Sequence, residues 1–115
     1  MRSISPDAKI AWYADMLAAM GAETRLRIMR LLLSSHPAGL VVGAIQKELG
    51  LTPSNLSHHL EKLKNRGLVT VRRDGVFLWY SANTTALQQL LQFLYAECCG
   101  RNRILSVNAV IHSKN

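Results

Sequence analysis

Residues 51–69, LTPSNLSHHLEKLKNRGLV, decide the fold. Leu56, Leu60 and Leu63 recur at helical spacing and make a narrow apolar stripe. Ser54, Asn55, Ser57, His58, Glu61 and Lys62 are left to the outer face. Thr52 is placed to cap the first turn, and Pro53 stands at the first helical position, where a missing N–H costs nothing. Gly67 ends the helix. Just upstream, Val42, Ile45 and Leu49 mark a shorter amphipathic helix that stops at Gly50. The pair reads as helix, three-to-four-residue turn, helix, the spacing that sets a second helix into a major groove. An outer face of short hydrogen-bonding groups suits base edges and phosphates, so Ser54, Asn55, Ser57 and His58 are the candidate groove contacts, with Lys62 and Lys64 on phosphates.

Beyond Gly67 the period changes from helical to strand-like in LVTVRR and VFLWYS, separated by Asp74-Gly75. Asp-Gly between two such runs predicts a hairpin with those two residues in the turn. Arg72 and Arg73 then lie at the hairpin tip, within reach of phosphates or a minor groove. A helix-turn-helix followed by a basic hairpin is a winged helix-turn-helix: a mainly α fold with a small β-hairpin.

The remaining chain fits one small domain. It has 115 residues, 49% of them hydrophobic, which suffices for a single core. Further helices are expected around Asp7 to Met20, around Glu23 to Ser35, and from about Thr84 to Cys98, with a loop at His36-Pro37-Ala38-Gly39. The domain is taken as residues 1–103, followed by a tail, 104–115, whose Ile104, Val107, Val110 and Ile111 fit either a continued helix or an extended arm. A formal net charge of +7 favours a polyanionic partner, although basic charge alone also serves solubility. No run of about eighteen apolar residues is present, and the N-terminus lacks the layout of a signal peptide, so no membrane partner and a cytoplasmic location are expected.

From about Leu17 to Cys99 the chain resembles the ArsR/SmtB family of metal-responsive bacterial repressors. Four pieces in order carry the resemblance: MGAETRLRIMRLL, LTPSNLSHHLEKLKNRGLV, VRRDGVFLWYSAN and ALQQLLQFLYAECC. It implies double-stranded operator DNA as partner and a two-fold homodimer built from the first and last helices. Those helices carry Ile10, Trp12, Tyr13, Met16, Leu17 and Met20, and Leu87, Leu90, Leu91, Leu94 and Tyr95. On periodicity alone the two stripes fit an intramolecular core as well as an interface. A dimer can meet two half-sites about one helical turn apart.

Cys98 and Cys99 are the only cysteines and stand side by side. A vicinal disulfide needs a strained ring, and structural bridges are rare in a reducing cytoplasm, so two free thiols are the default. On chemistry alone the pair is either a soft-ion ligand set or one buried small hydrophobe with an incidental neighbour. The Glu97-Cys98-Cys99 ending looks like the arsenic-responsive branch of the family, which implies trivalent arsenic or antimony as inducer and no constitutive cofactor. Sensors of inorganic arsenite commonly supply a third cysteine, and this chain has none after Cys99. A monosubstituted arsenical, with one valence already on carbon, is satisfied by two thiols.

Other sensory sites of the family are absent: Val41-Val42-Gly43 stands where some members carry Cys-x-Cys, and the last helix lacks the zinc-branch ligands. His59 is assigned to packing or hydrogen bonding, and His36 and His112 to solvent. The acidic residues are scattered without catalytic pairing and no phosphate-cradling glycine loop occurs, so an enzyme is not expected. Two alternatives remain: a DNA-binding switch in which the thiols are oxidised or persulfidated, and an architectural DNA-binding protein without a ligand.

Overall fold

The computed structural model describes residues 6–96. In chain order the elements are α1 (Pro6–Met20), α2 (Glu23–Ser34), β1 (Leu40–Val41), α3 (Val42–Leu49), α4 (Pro53–Asn65), β2 (Val69–Asp74), β3 (Phe77–Ala82) and α5 (Thr84–Tyr95). The chain divides into two units after Asn83, so α5 is described by itself.

The helix-turn-helix forms for the reasons its sequence gives. Thr52 adopts an extended backbone, and its hydroxyl accepts from the Asn55 N–H at 3.3 Å, while Pro53 opens the helix behind it. The α4 stripe is buried as expected, with Leu56, Leu60 and Leu63 almost fully enclosed. Facing them are Ile28, Met29 and Leu32 of α2, Ile45 of α3, and Met16 and Ala19 of α1, which all belong to the buried core. Each large aliphatic side chain so enclosed contributes about 1.5–3 kcal/mol relative to exposure. The α3 stripe is only partly realised: Ile45 is buried, whereas Val42 and Leu49 are half-buried.

The wing is a three-stranded antiparallel sheet in the order β1-β3-β2. Its two long strands are the expected hairpin. The third, Leu40–Val41, pairs with Tyr80 and Trp79 and was not anticipated. Gly39 leads into it with φ of 82°, and a Cβ there would run into the Tyr80 carbonyl oxygen and the Ser81 hydroxyl. The close approach that lets β1 reach β3 therefore depends on glycine. At the other end, Asn83 donates its side-chain amide to the Gly67 carbonyl at 2.8 Å and closes the base of the hairpin.

The turn sits one residue later than expected. Asp74 pairs with Phe77, so the two turn residues are Gly75-Val76 rather than Asp74-Gly75. The physical reason is backbone hand: a two-residue hairpin turn needs a positive φ at its first position, and Gly75, at 64°, supplies it. Asp74 then becomes the last rung of the ladder and Val76 the most exposed apolar residue of the wing, 86% accessible.

Within α5, Leu90 is buried while Leu94 and Tyr95 are exposed. The expected continuation to Cys98, the thiol pair itself and the tail lie outside the described residues.

Candidate nucleic-acid interface

Helix α4 presents its polar residues as the sequence suggests. Ser54, Asn55, Ser57, His58, Lys62 and Lys64 are all exposed, held in place by the leucine stripe beneath them. Because side chains four apart stack along a helix, Ser54, His58 and Lys62 run along one line, with Asn55 and Ser57 flanking it. Lys62 and Lys64 fall in the last turn, where cations complement the helix dipole.

His59 behaves differently from its neighbour. It is half-buried, and the Arg25 guanidinium donates to its Nδ1 at 3.2 Å, an arrangement that requires an unprotonated Nδ1. Burial, then the charges of Arg25, His58 and Lys62, hold the imidazole below its usual value of 6.5. Arg25 also donates through Nε to the carbonyl of Ala19 near the end of α1. One guanidinium therefore ties α1, α2 and α4 together behind the exposed face. Sequence reasoning left His59 to packing or hydrogen bonding and missed Arg25. The available signal was that Arg25 shares the helical stripe of the buried Ile28, Met29 and Leu32, an unusual place for a charge.

The two wing arginines part company. Successive strand residues point to opposite faces, so Arg72 and Arg73 cannot act as a pair on one surface. The Arg72 guanidinium lies 5.4 Å over the Trp79 ring and donates to the Ala38 carbonyl at 3.4 Å. Arg73 turns toward the tip and donates to the Gly75 carbonyl at 3.4 Å. Both are exposed. Arg73 is thus nearer the tip position foreseen for both.

Among the described residues no group of three or more His, Cys, Asp or Glu side chains gathers to hold a metal ion, and no helix is long and apolar enough to cross a membrane. The candidate ligands Cys98 and Cys99 lie outside that span.

The geometry agrees with known proteins. A family described as a helix-turn-helix domain matches residues 20–72. Nodulation protein NolR of Rhizobium meliloti is 40% identical over 85 residues, covering 74% of this chain and 66% of its own length. The transcriptional activator HlyU of Vibrio cholerae is 33% identical over 88 residues, covering 76% of this chain and 79% of its own. The HlyU structure superposes with a TM-score of 0.64 at 32% identity, covering 79% of this chain and 96% of that one, and a structure of reduced HlyU superposes equally well at 31% identity, covering 81% and 95%. The homodimeric winged helix-turn-helix DNA-binding domain of Mb0332 from Mycobacterium bovis gives a TM-score of 0.64 at 28% identity, covering 84% of this chain and 92% of that one. With a polar helix exposed after the turn, a three-stranded wing, and a relative 33% identical that the chain covers over 79% of its length, the chain belongs to the ArsR/SmtB–HlyU family of winged helix-turn-helix transcriptional regulators.

Proposed function

We propose that the protein is a homodimeric repressor that holds operator DNA in its free form and releases it when a trivalent arsenical bonds Cys98 and Cys99. The observation that carries the DNA half is the exposed row of Ser54, Asn55, Ser57 and His58 on a helix fixed from behind by three buried leucines. These four read base edges. Lys62, Lys64 and Arg73 bind phosphates from where they stand, and Arg72 does so by leaving Trp79 and Ala38. Dimerisation is supported by Ile10, Trp12 and Leu17 of α1, which are 57%, 47% and 43% exposed among the described residues, an apolar surface that suits a second copy. The homodimeric Mb0332 domain supports the same arrangement.

The sensing half rests on sulfur chemistry. A monosubstituted arsenous acid, R–As(OH)2, condenses with two thiols to form two As–S bonds and release two waters, leaving three-coordinate arsenic with no further ligand required. Arsenite in the same place keeps one hydroxide or borrows a thiol from elsewhere, since the chain offers no third cysteine. The monosubstituted species is therefore the stronger inducer. The thiols adjoin the last helix rather than the reading helix, so release works by coupling: an arsenical favouring the DNA-incompetent arrangement by a typical 1–3 kcal/mol lowers DNA affinity roughly 5–150-fold.

A second assignment has its own support, because HlyU is a relative whose reduced form has been solved separately. In it, Cys98 and Cys99 are oxidised or persulfidated and no metalloid binds. Fluorescence anisotropy of the reduced protein on its own promoter DNA separates the two. Titration with arsenite, a monomethylated trivalent arsenical, hydrogen peroxide and a persulfide donor is expected to release DNA at the lowest concentration with the methylated arsenical. Release by the oxidant or the persulfide donor alone would move the assignment to the redox switch.

A further inference from the structure

The polar surface of α4 extends from its exposed row onto the flank that faces α1 and α2. Asn55, His59 and Lys62 follow one another at helical spacing along this flank, Arg66 stands at the C-cap beyond it, and Lys62 and Arg66 border a cleft of about 260 Å³ between α1, α2 and α4. Asp15, Arg25, Lys62, Asn65 and Arg66 line it, together with Ala18 and Ala19.

Among the described residues, three cationic side chains and one carboxylate thus line the cleft. Arg25 bonds to the Ala19 carbonyl and the His59 imidazole, both uncharged, so these contacts leave its positive charge uncancelled. Arg66 meets Asp15 only at 3.8 Å, with both side chains about half exposed, a separation at which an ion pair in water is weak. The excess positive charge is also felt at His59, whose depressed basicity owes part of its shift, after burial, to Arg25 and Lys62. Guanidinium groups, an ammonium and an amide lining one open notch suit a tetrahedral oxyanion, which accepts several charge-assisted hydrogen bonds at once.

We propose that this cleft binds a phosphate group. Two sources supply that chemistry. One is a backbone phosphate of bound DNA: a major groove about 12 Å wide admits a helix of about that diameter, so phosphate backbones run beside its flanks, where Lys62 and Arg66 border the cleft. The other is free phosphate or a phosphorylated small molecule, which would then compete with DNA at the same helix.

Two single variants test the site, Arg66→Gln and Asp15→Asn. Both break the Arg66–Asp15 pair, so a merely structural pair makes them act alike. A phosphate site makes them act oppositely, because one removes a ligand and the other removes the one carboxylate that lines the cleft among the described residues. In the first arm, inorganic phosphate and pyrophosphate are titrated into the DNA-free protein by isothermal calorimetry. Arg66→Gln is expected to weaken binding about fivefold or more, and Asp15→Asn to strengthen it. The second arm rests on the operator-binding assignment: DNA affinity is measured against salt for wild type first. There Arg66→Gln is expected to lower the slope of log K against log salt by about 0.9 while Asp15→Asn strengthens binding. Opposite signs in the first arm place a free anion in the cleft, and opposite signs in the second alone place a DNA phosphate there. Equal behaviour of the two variants in both arms overturns the proposal. Wild type that binds no DNA at all counts against operator binding instead, and the calorimetric arm then decides the cleft.

Discussion

At the scale of single residues, the start of α4 rests on a local cap, in which the Thr52 hydroxyl accepts from the Asn55 N–H and Pro53 opens the helix. Thr52→Ala is expected to cost about 1 kcal/mol, seen as a lower urea midpoint with unchanged slope. Arg25 and His59 were not legible as partners, because 34 positions separate them and neither has a local signature for the other. Their contact carries a pH dependence whose sign follows from the depressed basicity of His59. The unfolded chain takes up the proton more readily than the folded one, so the contribution is complete above about 6.5. It is lost as the pH falls from there through the lowered folded value. His59→Asn keeps an acceptor for Arg25 but cannot titrate. Urea unfolding between pH 7.5 and 5 should show wild type losing stability relative to the variant, and parallel profiles would contradict the assignment.

At the scale of elements, periodicity carried the helices and failed at the joints of the wing. The leucine stripe of α4 was readable because three buried positions at spacings of four and three admit one helical face. Leu63→Ala is expected to cost about 2–5 kcal/mol in chemical denaturation, since the site is fully enclosed. The hairpin was readable from its two apolar runs, but its turn was placed one residue early because Asp-Gly was taken as both turn residues. In the structure, glycine alone is needed at the first turn position and Asp74 joins the ladder. Strand β1 was invisible for a different reason: two residues have no period, and Leu40–Val41 becomes a strand only because Gly39 admits the Tyr80 carbonyl at close range. Gly39→Ala is therefore expected to destabilise the wing by at least about 1–3 kcal/mol, with Trp79 fluorescence changing as β1 detaches. Unaltered stability and fluorescence would mean that β1 does not depend on this approach.

At the scale of the whole molecule, a net charge of +7 and a shared fold favour DNA, while apolar residues left exposed on α1 favour a second copy. Ile10→Glu together with Leu17→Glu should shift sedimentation from dimer to monomer and lose most DNA affinity, because one protomer then meets one half-site. The thiol pair was readable as chemistry, two soft donors with no third, whereas its geometry lies outside the described residues. The central claim, that an arsenical on Cys98 and Cys99 dissociates a DNA complex, is tested most directly by anisotropy of promoter DNA bound to reduced wild type and to Cys98→Ser/Cys99→Ser as a monomethylated trivalent arsenical is added. The account predicts release of wild type and retention of DNA by the double variant at every concentration. Equal release from both proteins, or retention by both, would contradict it.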